Sequence, residues 1–241
     1  MPVAGLPPAL ADARLIHLSD IHAGTSVSKD YLQRAFATAR ALRPDIAVCT
    51  GDWICSNDPQ SFADLESLLP GFPRGRLATV AVLGNHDYGA GWSSIEAAER
   101  LARMLRDAGV TLLRNETTEV AGVLVHGLGD LWSPEAPARG RPLPLERGTP
   151  ALVLAHNPDA CDEPDWNSFA GWVLSGHTHG GQCRPPFLPP PVLPVRNRRY
   201  TAGEIALDDG RRLYINRGLG HLLRVRFNVR PEITCFTLQP A

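Results

Sequence analysis

Short apolar runs that stop on polar residues recur along this chain. RLIHLSD (14–20), DIAVCTGD (45–52), LATVAVLGNHD (77–87), PALVLAHNPD (150–159) and AGWVLSGHTHGG (170–181) each read as a buried strand with a polar tip. Helical spacing fills the gaps between the early ones. Leu32, Ala35, Phe36, Ala39 and Leu42 share a face that Pro44 ends, and residues 59–69 open on Pro59 and stop before Pro70. Ser93 and Glu96 make a capping box for a third helix carrying Ile95, Ala98, Leu101 and Leu105, closed by Gly109. The second half reads mainly as strand: 110–130 as strands joined by a turn, 204–218 as a hairpin about Asp209-Gly210, and 231–239 as a last strand. Strand and helix alternating in this way predict an α/β fold with ligands at the carboxyl edge of a sheet.

Composition narrows the class. The 241 residues fit one domain, 1–241, with a Pro/Arg-rich insertion at about 184–200. A hydrophobic content of 44% supports a real core, and a net charge of -1 gives no general field for long nucleic acid. Lys29 is the one lysine among 24 basic residues. No apolar run reaches the length of a membrane span, and the first residues lack a signal-peptide pattern. The five cysteines are odd in number, scattered, and form no CxxC, which points to a reducing, cytoplasmic compartment.

The polar tips hold the chemistry: Asp20 and His22; Asp52; Asn85, His86 and Asp87; His156; His177 and His179. Five of the eight histidines fall here. In SGHTHGGQ, His177 and His179 share a parity and can aim at one point, while three glycines let the backbone approach closely. Imidazole, carboxylate and amide oxygen suit first-row divalent ions. Seven candidate ligands exceed one tetrahedral zinc and match two ions sharing a carboxylate. His17, His126 and His221 read as structural histidines.

The order D-x-H, G-D, G-N-H-D, H, G-H-x-H, from Asp20 to His179, resembles the calcineurin-like metallophosphoesterase superfamily. The resemblance implies a four-layer α/β/β/α sandwich with a bimetal site between the sheet edges. It assigns Asp20, His22 and His179 to one ion, Asn85, His156 and His177 to the other, and Asp52 to both. It places His86 outside the ligand set, facing the substrate phosphate. Two divalent ions are implied, manganese first, with iron, zinc, cobalt or magnesium as alternatives, and a shared hydroxide for in-line attack on phosphorus. LGNHDYG, AHNPD, SGHTHGGQ, INRGLG and RFNVRPEIT together resemble the bacterial phosphodiesterase branch that includes a UDP-2,3-diacylglucosamine pyrophosphatase.

The expected activity is therefore that of a metal-dependent phosphodiesterase or pyrophosphohydrolase acting on a phosphoester-containing small molecule or lipid head group. A cyclic-nucleotide or other nucleotide phosphodiesterase is the alternative, and a catalytically dead scaffold conflicts with the complete ligand set. Protein phosphatases of the superfamily resemble GDxVDRG and GNHE, where this chain has GDWICS and GNHD. Asp87 is expected to orient His86, and Asp159 to orient His156. Arg196, Arg198 and Arg199 are candidates to clamp a second phosphate. HLLRVRFNVR (221–230) alternates apolar and basic residues, the pattern of a half-buried edge strand, with peripheral contact to a membrane surface as the second reading.

Overall fold

The computed structural model describes residues 1–24, 26–137, 142–163 and 166–241. The chain opens on the short strand β1 (Pro2–Val3) and then lays down β2 (Arg14–Leu18), α1 (Lys29–Ala41), β3 (Ile46–Thr50), α2 (Pro59–Leu68), β4 (Ala78–Val82), α3 (Ile95–Asp107) and β5 (Thr111–Leu112). β2, β3, β4 and β5 pair in parallel, with Ile16 opposite Ala47 and Val48 opposite Val80. A hairpin follows, β6 (Glu116–Val120) and β7 (Val123–Gly127), turning at Ala121 and Gly122, both at positive φ. β8 (Ala151–Leu154) and β9 (Trp172–Ser175) add to it in parallel, then the hairpin β10 (Gly203–Ala206) and β11 (Arg212–Ile215). β12 (Thr234–Thr237) returns antiparallel to β2, and β13 (Gln239–Pro240) pairs with β1.

Two sheets result, β12-β2-β3-β4-β5 and β10-β11-β9-β8-β7-β6. Alternation within each strand sorts the core into layers. Leu15, Ile46, Val48, Val80 and Val82 face Val125, Leu152, Leu154 and Leu174 of the other sheet. Ile16, Leu18, Ala47, Cys49 and Ala81 face Leu32, Phe36, Leu65, Leu101 and Leu105 of the three helices. Each fully buried leucine or phenylalanine contributes about 1.5–3 kcal/mol. Burial on both faces is why these strands read as unbroken apolar runs.

The fold is the α/β sandwich, with one asymmetry. Among the described residues all three α-helices cover the five-stranded sheet. The outer face of the other sheet packs Val153, Val173, Leu213 and Ile215 against the 3-10 turn Pro158–Asp162 and irregular chain bearing Leu145, Phe169 and Tyr200. Residues 142–148, with Pro142 and Pro144, form no helix there.

Two local expectations need correction. The N-cap of α3 is Ser94, whose side chain accepts from the Ala97 N–H, rather than Ser93 with Glu96. Residues 221–230 form no strand. Their one ladder contact is a bridge between Phe227 and Cys183; Leu222, Leu223, Val225 and Phe227 point outward while Arg226 and Val229 turn inward. The Arg226 guanidinium finds the carbonyls of Arg217, Gly218 and Gly220, which an extended edge strand would not present to it.

Candidate metal centre

The parallel strands of both sheets end at one edge, and loop hydrogen bonds tie their tips together. The Asp20 N–H donates to Gly51 O, Gly176 N–H to His156 O, and His177 N–H to the Asp20 carboxylate. Space at the seam is scarce. A Cβ on Gly176 would lie 1.8 Å from Ser19 Oγ and 2.5 Å from Asp20 Oδ2, and one on Gly84 would lie 2.3 Å from Asp52 Oδ1. Those two glycines allow the second sheet's histidine loop and the GNHD turn to reach the carboxylates.

All seven expected ligands meet there, buried. Asp20, His22, Asp52 and His179 offer ligand atoms within 4.8 Å of one another. Asp20 Oδ1 is 3.2 Å from His179 Nε2, which is 3.1 Å from His22 Nε2, and His22 Nε2 is 3.5 Å from Asp52 Oδ2. The same Asp52 oxygen is 3.3 Å from His156 Nε2. His156 Nε2 in turn lies 3.2 Å from both Asn85 Oδ1 and His177 Nδ1. Asp52 thus stands between a His22/His179 group and an Asn85/His156/His177 group.

The donor chemistry fits divalent ions. Carbonyls only accept, so the Thr50 carbonyl, 2.7 Å from His156 Nδ1, holds a proton on that nitrogen; the Pro194 carbonyl does the same for His177 Nε2 at 2.8 Å. The opposite nitrogens, His156 Nε2 and His177 Nδ1, then turn lone pairs toward each other beside an amide oxygen and a carboxylate. Converging acceptors are costly in a buried site unless a proton or a metal ion joins them. Titration tells the same story. Burial depresses His156, but Asp52 above all, with Asp20 and Asp130, lifts it well above the ordinary imidazole range. Burial pushes Asp52 upward, and His156, His86 and His22 overcome it and hold the carboxyl well below its usual range. Burial drives His22 and His177 down to about 3.

The backbone is strained where the ligands sit. Asp20, His22, Asp52, His177 and His179 all adopt positive φ, between 49° and 69°. Left-handed conformations at non-glycine residues cost of order 1 kcal/mol each and persist where the surroundings over-determine them, as at functional sites.

His86 lies at the rim, half-buried, its ring 5.0 Å from that of His22, and its Nδ1 donates to the Cys55 carbonyl at 2.9 Å. Asp87 does not orient it. Both Asp87 oxygens are used by backbone N–H groups, Oδ1 by Trp53 and Ile54 and Oδ2 by Gly84, so this carboxylate stitches the Asp52 tip to the GNHD turn. Asp159 likewise misses His156 and accepts from the Arg196 and Asn197 N–H groups. Of the candidate clamp, Arg196 is exposed and paired with Glu163, Arg198 donates to the Pro190 carbonyl, and Arg199 is exposed.

Four neighbours escaped sequence reasoning. Trp92 and Trp132 stack at 4.7 Å, and Trp132 sets its ring at 82° to His177, 4.5 Å away. Asp130 ends β7 in the same Gly-Asp signature as Asp52; it is buried, has one unpartnered oxygen, and burial pushes its carboxyl up to about 6. That repeated signature was the available signal. Arg226 sets Nη2 3.3 Å from His179 Nδ1, which nothing in 221–230 announces.

Comparison with known proteins agrees with this geometry. The model of the calcineurin-like phosphoesterase family matches residues 13–181. Phosphodiesterase YaeI of Escherichia coli (strain K12) is 35% identical over 238 residues, covering 95% of this chain and 83% of that protein. The UDP-2,3-diacylglucosamine pyrophosphatase LpxG of Chlamydia trachomatis is 26% identical, covering 91% of this chain and 82% of that one. A solved dimetal phosphatase from Danio rerio shares the fold at a TM-score of 0.51, with 11% identity over 95% of this chain and 93% of that one. The chain belongs to the calcineurin-like phosphoesterase family and is a metal-dependent phosphoester hydrolase.

Proposed function

We propose that the chain is a binuclear phosphodiesterase or pyrophosphohydrolase. One ion would be held by Asp20, His22 and His179, the other by Asn85, His156 and His177, with Asp52 serving both. The observation that carries this reading is Asp52 Oδ2, which lies 3.5 Å from His22 Nε2 and 3.3 Å from His156 Nε2. When bound, the pair of ions, manganese by preference, supplies a nucleophile from water and positive charge for the phosphoryl oxygens.

The chain's own groups do the rest. Thr50 and Pro194 fix which nitrogen of His156 and His177 faces inward. His86 has its Nδ1–H committed to Cys55 O, so its Nε2 carries the exchangeable proton. Protonated there, His86 donates to a non-bridging oxygen or to the departing alkoxide, and deprotonated it accepts. The charge spread over the transition state makes positioning the protein's main contribution. The substrate is a small phosphodiester or pyrophosphate, a class that includes a lipid-linked head group such as the one named for LpxG. Trp92 and Trp132, stacked beside His177, favour a nucleotide-containing substrate as the second reading, because an indole face accepts a base.

The test is hydrolysis of bis-p-nitrophenyl phosphate beside p-nitrophenyl phosphate by manganese-loaded protein, with metal content measured and His86→Ala as control. Diester preference, two ions per chain and a large loss in the variant support the reading. Preference for the monoester makes the enzyme a phosphatase and overturns it.

A further inference from the structure

Beyond the metal centre, two irregular loops cover the far side of the His179 turn and expose most of what they carry that is apolar. Phe187 is fully exposed, and Leu188, Val192, Leu223, Val225 and Phe227 are each more than half exposed. The loops are one surface. Arg184 N–H donates to Phe227 O, Phe227 N–H to Gln182 O, and the Gln182 amide bonds the carbonyls of Leu223 and Val225. Soluble monomers rarely leave large side chains clustered in this way without a use for them.

The charge around the patch has one sign. Residues 182–203 and 213–231 contain no aspartate or glutamate and four arginines each, eight in all. Arg196 pairs with Glu163 and Arg217 with Glu232. Arg184, Arg224 and Arg230 lie among the exposed apolar residues in sequence, within a chain whose net charge is only -1. The distribution is therefore local. A second copy of the chain docking here through a two-fold axis would bring arginines against arginines. An anionic phospholipid surface satisfies both features at once: interfacial burial for the apolar tips and anionic phosphates for the guanidiniums.

The patch is also joined to the chemistry. It begins three residues after His179, and Arg226 leaves the outer loop to reach His179 and the carbonyls that follow Asn216. We propose that the loops at 184–192 and 222–230 form a docking surface for an anionic phospholipid bilayer.

The test uses the full chain and vesicles of phosphatidylcholine with or without about one-third phosphatidylglycerol. Sedimentation should show binding to the anionic vesicles that weakens with added salt, and little to the neutral ones. Phe187→Ser with Leu223→Ser should weaken it about tenfold or more, and Arg184→Glu with Arg230→Glu should do the same. These residues lie outside the metal centre, so both variants should keep the circular dichroism and soluble-diester turnover of the parent. The proposal is overturned by absence of vesicle binding, by binding that ignores both variants, or by self-association in light scattering that the apolar variant abolishes. Vesicle binding is read without catalysis, so a failed diesterase assay leaves this result independent.

Discussion

The two halves of the proposed binuclear centre are built differently. In the half with His156 and His177, each imidazole is anchored on its outer nitrogen by a backbone carbonyl, Thr50 on one side and Pro194 on the other. In the half with His22 and His179, neither imidazole has such a carbonyl anchor among the described residues. His22 Nδ1 is buried with no hydrogen-bond partner among the described residues, and His179 Nδ1 faces the donor Arg226. Left-handed backbone carries Asp20 and both of these histidines, as it carries His177 in the first half. The carbonyl anchors, and not the backbone strain, distinguish the halves. A pocket whose ligands are pre-oriented by outer partners binds its ion more tightly, by about 10–100-fold in known cases.

The strongest break removes the element the halves share. Asp52→Ala should lower kcat/KM by at least about 10³-fold and bring measured metal from two ions per chain to below one. Retention of two ions would show that the halves do not depend on Asp52. Next comes His86→Ala, which removes no candidate ligand from either half: kcat should fall about 10²–10³-fold with metal content unchanged. A chelator titration then separates the halves, with two phases about 10–100-fold apart in chelator strength and the less tightly held ion gone from the His22/His179 side. His22→Ala should delete the weaker phase alone, and a single phase would erase the proposed difference.

Smaller effects concern the scaffold. Asp87→Ala strands three buried backbone N–H groups and should cost about 1–3 kcal/mol in urea unfolding, more than it alters the pH profile of His86. The smallest effect is acid sensitivity from His17. Burial pushes its pKa down to about 4 from an ordinary 6.5, so the unfolded chain binds the extra proton between those values. Stability is full above about pH 6.5 and falls as pH drops toward 4, by about 1 kcal/mol from this residue between pH 7 and 5.5. His17→Gln should flatten that part of the urea-midpoint profile, and an unchanged slope would assign it to other groups.

Much of this was legible in the sequence because it is local. The five apolar strands are continuous since both faces are buried, and their polar tips follow from the need to stop pairing where the chain turns. The helices announced themselves by period and by Pro44, Pro59 and Gly109. Less legible was anything set by partners distant in sequence. Asp87 and Asp159 looked like orienters of histidines because carboxylates beside histidines often are, yet backbone N–H groups from other segments claimed them. The 221–230 stretch alternates like an edge strand, but Arg226 turns in against three carbonyls while Leu222, Leu223, Val225 and Phe227 face outward.

By itself the sequence determined the apolar strands, the order of the tips and the residues gathered at them, all consequences of side-chain chemistry and short-range periodicity. The tertiary structure alone decided which nitrogen each imidazole presents, that one Asp52 oxygen lies between two groups, and that Trp92, Trp132 and Arg226 border them. Those are matters of ångström-scale placement between segments up to 157 residues apart, and only the packed sheets fix such distances.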